Sequence, residues 1–179
     1  MRINWLMWEG ALSNDVVDEV ISKAGEPKEA KVFGGQVSNV RKSRVSWITE
    51  EKWLFDLLHD YADSANQQAF QATLYKNAPM QFTEYHASEG GHYDWHSDVN
   101  WNRDDGLDRK LSVTVQLSDP TEYEGGEFQF KDVESPDPLA SKKRGTVLVF
   151  PSYLQHRVAP VTSGIRRSLV SWFEGPMWR

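Results

Sequence analysis

In this 179-residue sequence three titratable side chains, His92, His96 and Asp98, lie at a spacing that backbone geometry can exploit. His96 and Asp98 flank Ser97 within HYDWHSDVNW, and residues i and i+2 of an extended chain project from one face. The two can therefore converge on one point, but a pair of ligands leaves a metal site incomplete. Five histidines are present, at positions 59, 86, 92, 96 and 156. His59 falls in an amphipathic helical pattern and reads as structural. His86 and His92 bracket an irregular segment beside the pair, as neighbours or as ligands. His156 follows an apolar run from Thr146 to Phe150 and a turn at Pro151-Ser152, a context that can aim it back at the pair. Two imidazoles and one carboxylate on one face suit a non-haem Fe(II) with open positions. By itself the triplet is also compatible with an ordinary polar loop.

Ten residues beyond His156, Arg166 and Ser168 share a strand face. A guanidinium beside a hydroxyl is a fork for a carboxylate, because arginine binds it in a bidentate manner. A metal at one end of a pocket and a buried Arg166 at the other would hold a dicarboxylate lengthwise. The plainer alternative is an arginine on an edge strand, paired with a surface acid.

Composition narrows the classes. The formal net charge is -6, and the basic residues are scattered. The clusters Arg41-Lys42-x-Arg44 and Lys142-Lys143-Arg144 read as solvated faces, and no basic stripe of a nucleic-acid binder is present. The chain has no cysteine, so any metal must be held by histidine and carboxylate. The N-terminal MRINWLMWEGALS is apolar too briefly for a signal peptide or a membrane span, which leads us to expect a soluble, cytoplasmic protein.

The elements that must position these residues fall in two regions. Ser13 or Asn14 can cap a helix through about Ala24, with Val16, Val17, Val20 and Ile21 on one face and Gly25 beyond its end. Thr49 can cap a longer helix to about Gln71, in which Trp53, Leu54, Leu57, Leu58 and Tyr61 recur at helical spacing as core residues. After Met80 short strands follow: QFTEYH, KLSVTVQLS, EFQF after Glu124-Gly125-Gly126, TVLVF and RRSLVSWFE. In KLSVTVQLS, Leu111, Val113, Val115 and Leu117 point one way, while Ser112, Thr114 and Gln116 point toward solvent or a wet cavity. Helices followed by antiparallel strands give an α+β domain whose helices buttress one face of a sandwich or barrel.

The order His96-x-Asp98, His156, Arg166-x-Ser168 resembles the Fe(II)/2-oxoglutarate-dependent dioxygenase superfamily. Within it the chain looks most like the prolyl 4-hydroxylase-related branch, which includes bacterial PKHD-type hydroxylases. The stretches that carry the resemblance are FTEYHASEGGHYDWHSD, LSVTVQLSDPTEYEGGEFQF and GTVLVFPSYLQHRVAPVTSGIRRSLVSW, with ALSNDVVDEVI and VRKSRVSWI extending it toward the N-terminus. The resemblance implies one domain over 1–179: a helical support region over 1–79 and a double-stranded β-helix, or jelly-roll, core over 80–179. The fold it implies is α+β and mainly β. It implies iron on His96, Asp98 and His156, and the far carboxylate of 2-oxoglutarate on Arg166 with help from Ser168. Tyr85 and Tyr93 match tyrosines that contact co-substrate or substrate, although HASEGGH between them is slightly longer than the usual pattern. Some relatives carry lysine in place of Arg166. A carboxylate at Asp98 occupies the position that halogenating relatives leave open, so hydroxylation is expected.

The implied reaction uses Fe(II), 2-oxoglutarate and O2, with ascorbate as reductant, and yields succinate and CO2. The implied substrate is a prolyl residue in a peptide or protein, giving 4-hydroxyproline. Trp95, Asn100, Trp101 and the loop from Asp132 to Lys142 are candidates for the mouth of the site. Three other readings stand beside it: the same chemistry on a free amino acid or other small molecule, on a methylated nucleobase, or a jelly-roll binding module with a structural metal. The acidic charge argues against the nucleobase, and neither a nucleic acid nor a membrane is expected as a partner.

Overall fold

The computed structural model describes residues 2–30, 39–75 and 79–178. In chain order the elements are β1 (Leu6–Trp8), α1 (Asn14–Lys23), β2 (Lys28–Glu29), β3 (Arg41–Lys42), β4 (Arg44–Ile48) and α2 (Lys52–Ala65). They continue with β5 (Met80–His86), β6 (His92–His96), β7 (Leu107–Gln116), β8 (Tyr123–Gly125) and β9 (Phe128–Phe130). The last are α3 (Pro138–Lys142), β10 (Val147–Pro151), β11 (His156–Val158) and β12 (Val161–Pro176).

The strands form two antiparallel sheets. The larger runs β1-β10-β7-β12-β5-β4-β2, with β8 pairing the start of β12, and the smaller runs β3-β6-β11-β9. Mainly β, with helices on one face of the larger sheet, this is the expected jelly roll. The region before Met80 adds four short strands to its helices, and these extend both sheets. Two of them are only two residues long, too short for alternation to mark them, and their partners β4 and β6 define them.

Helix α1 starts where its cap predicts: the Ser13 hydroxyl accepts from the Val16 amide at 3.3 Å. Val17 and Val20 are fully buried from it. Helix α2 corrects the expected start. Thr49 directly follows β4, the helix begins at Lys52, and Glu51 is the capping position without a side-chain cap bond. The Glu51 carboxylate instead accepts from the Trp53 indole at 2.9 Å. The helix ends at Ala65, and a π-helical turn, Asn66–Phe70, carries the chain to Gln71, whose φ is +51°.

Period-two patterning explains the division of labour across β7. Leu111, Val113, Val115 and Leu117 pack with Leu54 and Leu58 of α2 and Val17 and Val20 of α1 in one apolar core. Each fully buried aliphatic side chain contributes about 1.5–3 kcal/mol from removal of apolar surface from water. The opposite face of the same strand, Ser112, Thr114 and Gln116, looks into the space between the sheets.

Candidate metal centre and active-site cavity

That space is a cavity of about 210 Å³. From the larger sheet, Trp47, Gln81, Thr83, Tyr85, Thr114, Arg166, Ser168, Val170 and Trp172 line it. From the smaller sheet and its edge come Arg41, Tyr93, His96, Phe128, His156 and Val158. Asp98 and Arg109 close one end.

His96, Asp98 and His156 meet there, with one ligand atom of each lying within 4.8 Å of the others. Nε2 of His96 is 3.6 Å from one Asp98 oxygen, and Nε2 of His156 is 3.6 Å from the other. Pairing of β6 with β11 places the two histidines directly opposite each other. The register then slips, so that Tyr93 faces Val158; this bulge puts one extra residue on β6 and turns both Tyr93 and His96 into the cavity.

Backbone and hydroxyl contacts fix the orientation of each member. The Nδ1 of His96 bonds the Asp94 carbonyl at 2.7 Å, and that of His156 bonds the Leu154 carbonyl at 2.9 Å. A carbonyl only accepts, so each Nδ1 carries the proton and each Nε2 presents a lone pair. Burial, with His156 close by, pushes His96 down to about 4, which keeps it neutral and ligand-competent at neutral pH. Burial opposes ionisation of Asp98, but His156, His96 and the Ser112 hydroxyl outweigh it and hold the carboxyl below its usual range. Ser112 donates to Asp98 at 2.6 Å and shares a 2.9 Å hydrogen bond with the Ser152 hydroxyl, while the Asp98 amide donates to the Ser152 carbonyl at 2.9 Å. Two imidazoles and one carboxylate that converge in this cavity form a donor set that fits a divalent iron.

Arg166 and Ser168, expected to share a strand face, both line the cavity. Arg166 and Ser168 are buried on the cavity face of β12, and the Arg166 Nη1 and the Ser168 hydroxyl have no hydrogen-bond partner among the described residues. Two buried, unsatisfied polar groups on one wall are a socket for a ligand with complementary acceptors. Tyr123, unmarked in the sequence reading, adjoins this wall: its hydroxyl accepts from Gln116 at 2.8 Å. Burial pushes the Tyr123 phenol up, and Arg166 beside it counters that rise. Gly126, at φ +65°, runs so close that an added Cβ would lie 2.9 Å from the Arg166 Cδ.

Tyr85 and Tyr93 both line the cavity. Arg166 stands over the Tyr85 ring at 5.6 Å, and Tyr93 stacks on His96 with ring centroids 3.4 Å apart. Burial pushes the Tyr93 phenol up to about 12, so it remains a neutral donor. The other histidines lie apart from the cluster: His59 contacts Phe55 and Phe173, His86 bonds Glu84, and His92 bonds the Gly90 and Asn39 carbonyls.

Trp95, Asn100, Trp101 and the 132–142 loop, candidates for the mouth, are not among the residues that line the cavity. Trp95 packs beneath Arg157, Trp101 is 61% exposed, and α3 within the loop is tied down by the Lys142–Glu127 ion pair. Arg41, read as part of a solvated cluster, instead turns inward because its strand pairs with β6 at Tyr93. Arg41, Arg109, Trp47 and Trp172 are cavity residues that the sequence reading missed. Alternation along RRSLVSW marks Trp172 as sharing the face of Arg166, the one signal that was available.

The family model described as the 2OG-Fe(II) oxygenase superfamily matches residues 80–174, more than half of the chain. The chain belongs to that superfamily, for which Fe(II) and 2-oxoglutarate are cofactor and co-substrate. Within it the similarity points to the PKHD-type branch. A PKHD-type hydroxylase of Synechococcus sp. (strain CC9311) is 42% identical over 86 residues, covering 48% of this chain and 37% of the relative. The match thus spans well under half of that relative's length. A Pseudomonas putida prolyl-4-hydroxylase aligns with a TM-score of 0.74 at 23% identity, over 96% of this chain and 93% of its own. A Trichoplax adhaerens prolyl hydroxylase, solved with a hypoxia inducible factor peptide fragment, aligns with a TM-score of 0.74 at 18% identity, over 95% and 83%. At these identities the structural likenesses establish the fold. Among the described residues no helix is long and apolar enough to cross a membrane.

Proposed function

We propose that this chain hydroxylates a peptidyl proline, with His96, Asp98 and His156 holding Fe(II) and with Arg166 and Ser168 binding the far carboxylate of 2-oxoglutarate. The observation that carries the reading is the pairing, in one cavity, of the convergent triad with the Arg166 Nη1 and the Ser168 hydroxyl, both without a partner among the described residues. When bound, the iron supplies oxidation of a C–H bond by O2, coupled to decarboxylation of 2-oxoglutarate to succinate and CO2. The residues of the chain do the rest. His96 and His156 offer Nε2 lone pairs because the carbonyls of Asp94 and Leu154 hold their Nδ1 protons. Ser112 fixes the Asp98 carboxylate, and Phe128, Phe150 and Val158 keep the wall beside it dry. Tyr85 and Tyr93 are proposed as co-substrate and substrate contacts.

The prolyl substrate is supported by the PKHD-type similarity and by the peptide complex of the Trichoplax relative. The test is succinate formation from 2-oxoglutarate with Fe(II), ascorbate and air, with and without a proline-rich peptide, beside His96→Ala. Turnover stimulated by peptide and lost in the variant is the expected result. Turnover indifferent to every peptide would move the substrate to small molecules, and its complete absence from a metal-loaded protein would overturn the oxygenase reading.

A further inference from the structure

The charge inside the cavity is unbalanced in a way that 2-oxoglutarate does not correct. Among the described residues its charged lining is Arg41, Arg109 and Arg166 against Asp98, and imidazoles that hold iron add no charge of their own. Three cations against one anion leave two positive charges. Fe(II) and the doubly charged 2-oxoglutarate cancel each other, so the excess survives loading of both. Arg41 and Arg109 are half-buried, with Asp98 and, from outside the lining, Glu174 acting on Arg109; partly desolvated cations in excess are relieved by a ligand of opposite sign.

The excess is also localised. Arg166 serves one end, whereas Arg41 and Arg109 flank the metal triad. Arg41 lies over Tyr93 at 4.7 Å, and Tyr93 stacks on His96. Arg109 reaches the Asp98 carbonyl at 3.5 Å and lies over Trp172 at 3.9 Å. Neither makes an ion pair among the described residues: the Arg41 side chain bonds only the neutral Ser43 and Gln81. Outside the cavity Arg44, Arg103, Arg144 and Arg167 are each paired to an acid, while Arg157 bonds the neutral Gln129. Beneath Arg109, Trp172 is 6% exposed and its indole N–H has no partner among the described residues. Trp47 adjoins it at 6.2 Å and pairs in register with Gln81. Trp172 stands six residues from Arg166 on one strand, a run of about 20 Å, so this wall is separate from the 2-oxoglutarate fork. Two guanidinium groups and an indole present donors and call for a group made only of acceptors.

We propose that Arg41, Arg109 and the Trp172 indole form an anion subsite that takes a carboxylate of the substrate, borne close to the carbon that is oxidised. The inference rests on reading the cavity as a hydroxylase active site, and it narrows the substrate class. A neutral prolyl peptide leaves the excess charge in place, whereas an acidic neighbour of the proline, or the carboxylate of a free amino acid, answers it.

The test measures binding without turnover. Protein loaded with Fe(II) and 2-oxoglutarate under nitrogen is titrated with acetyl-Gly-Glu-Pro-Gly-amide, acetyl-Gly-Gln-Pro-Gly-amide and free L-proline, followed by tryptophan fluorescence. The Glu peptide, or free proline, should bind at least about tenfold more tightly than the Gln peptide, and the gap should shrink to about twofold or less in R41Q/R109Q. Arg109→Lys, which keeps the charge, should retain a preference that Arg109→Gln loses. Preference for the Glu peptide locates the carboxylate on a side chain, and preference for free proline locates it on a small substrate. Equal binding of all three, no binding, or a preference that survives R41Q/R109Q overturns the subsite. Hydroxylation of the same peptides in air separates the two readings. Equal hydroxylation of both peptides without charge preference removes the subsite and keeps the prolyl reading. Charge-selective binding without hydroxylation of any peptide does the reverse.

Discussion

The two faces of the larger sheet are built from the same strands and serve opposite ends. Toward the helices, Met80, Phe82, Leu111, Val113, Val115, Leu169 and Phe173 are buried against apolar neighbours. Toward the smaller sheet, the alternate residues Thr83, Tyr85, Thr114, Gln116, Arg166 and Ser168 are polar or amphipathic. Hydroxyls without a partner among the described residues occur on both sides, Ser46 and Ser171 against the helices and Ser168 in the cavity. An unsatisfied group in a dry core only costs stability, whereas one facing a cavity is a place for a ligand to bond. The same orphan hydroxyl therefore means different things on the two faces.

Substitutions can break or sharpen that contrast. The largest effect is expected on the cavity side, where His96→Ala should abolish both Fe(II) binding in a metal titration and succinate formation. On the helix side, Leu169→Ala should cost about 2–5 kcal/mol in denaturant unfolding while leaving the 2-oxoglutarate KM in place. Arg166→Ala should do the opposite, weakening 2-oxoglutarate binding by about 2–5 kcal/mol, with the Fe(II) titration little changed. An unchanged KM would remove Arg166 from the site.

Smaller effects refine the picture. Ser112→Ala frees the Asp98 carboxylate to rotate and should lower Fe(II) affinity about 10- to 100-fold, read by competition with a chelator. The finest comparison is between two serines on one strand. Ser171→Ala should be neutral or stabilising by up to about 1 kcal/mol, because it removes an unbonded hydroxyl from the core. Ser168→Ala should instead raise the 2-oxoglutarate requirement. Identical behaviour of the two variants would erase the distinction between the faces.

By itself the sequence determined the parts that depend on local period and residue type. The polar alternate set of β7 and the shared face of Arg166 and Ser168 follow from strand geometry and reappear in the fold; His96 and Asp98 also converge, although Asp98 lies in a bend past the end of β6. The cap at Ser13 was legible for the same reason, since one side chain and one amide three residues on define it. Only the tertiary structure decided what depends on partners far away in the chain. The bulge that turns Tyr93 and His96 inward together arises from pairing with β11, more than fifty residues later. Arg41 reads as a surface cation until β3 pairs with β6, and alternation tells which face Trp172 takes but not that a cavity lies against it. Helix α2 starts late because the carboxylate of Glu51 is engaged by Trp53 and the chain is still leaving β4 at Thr49. Local patterns set which way a side chain can point; the pairing of distant strands sets what it points at.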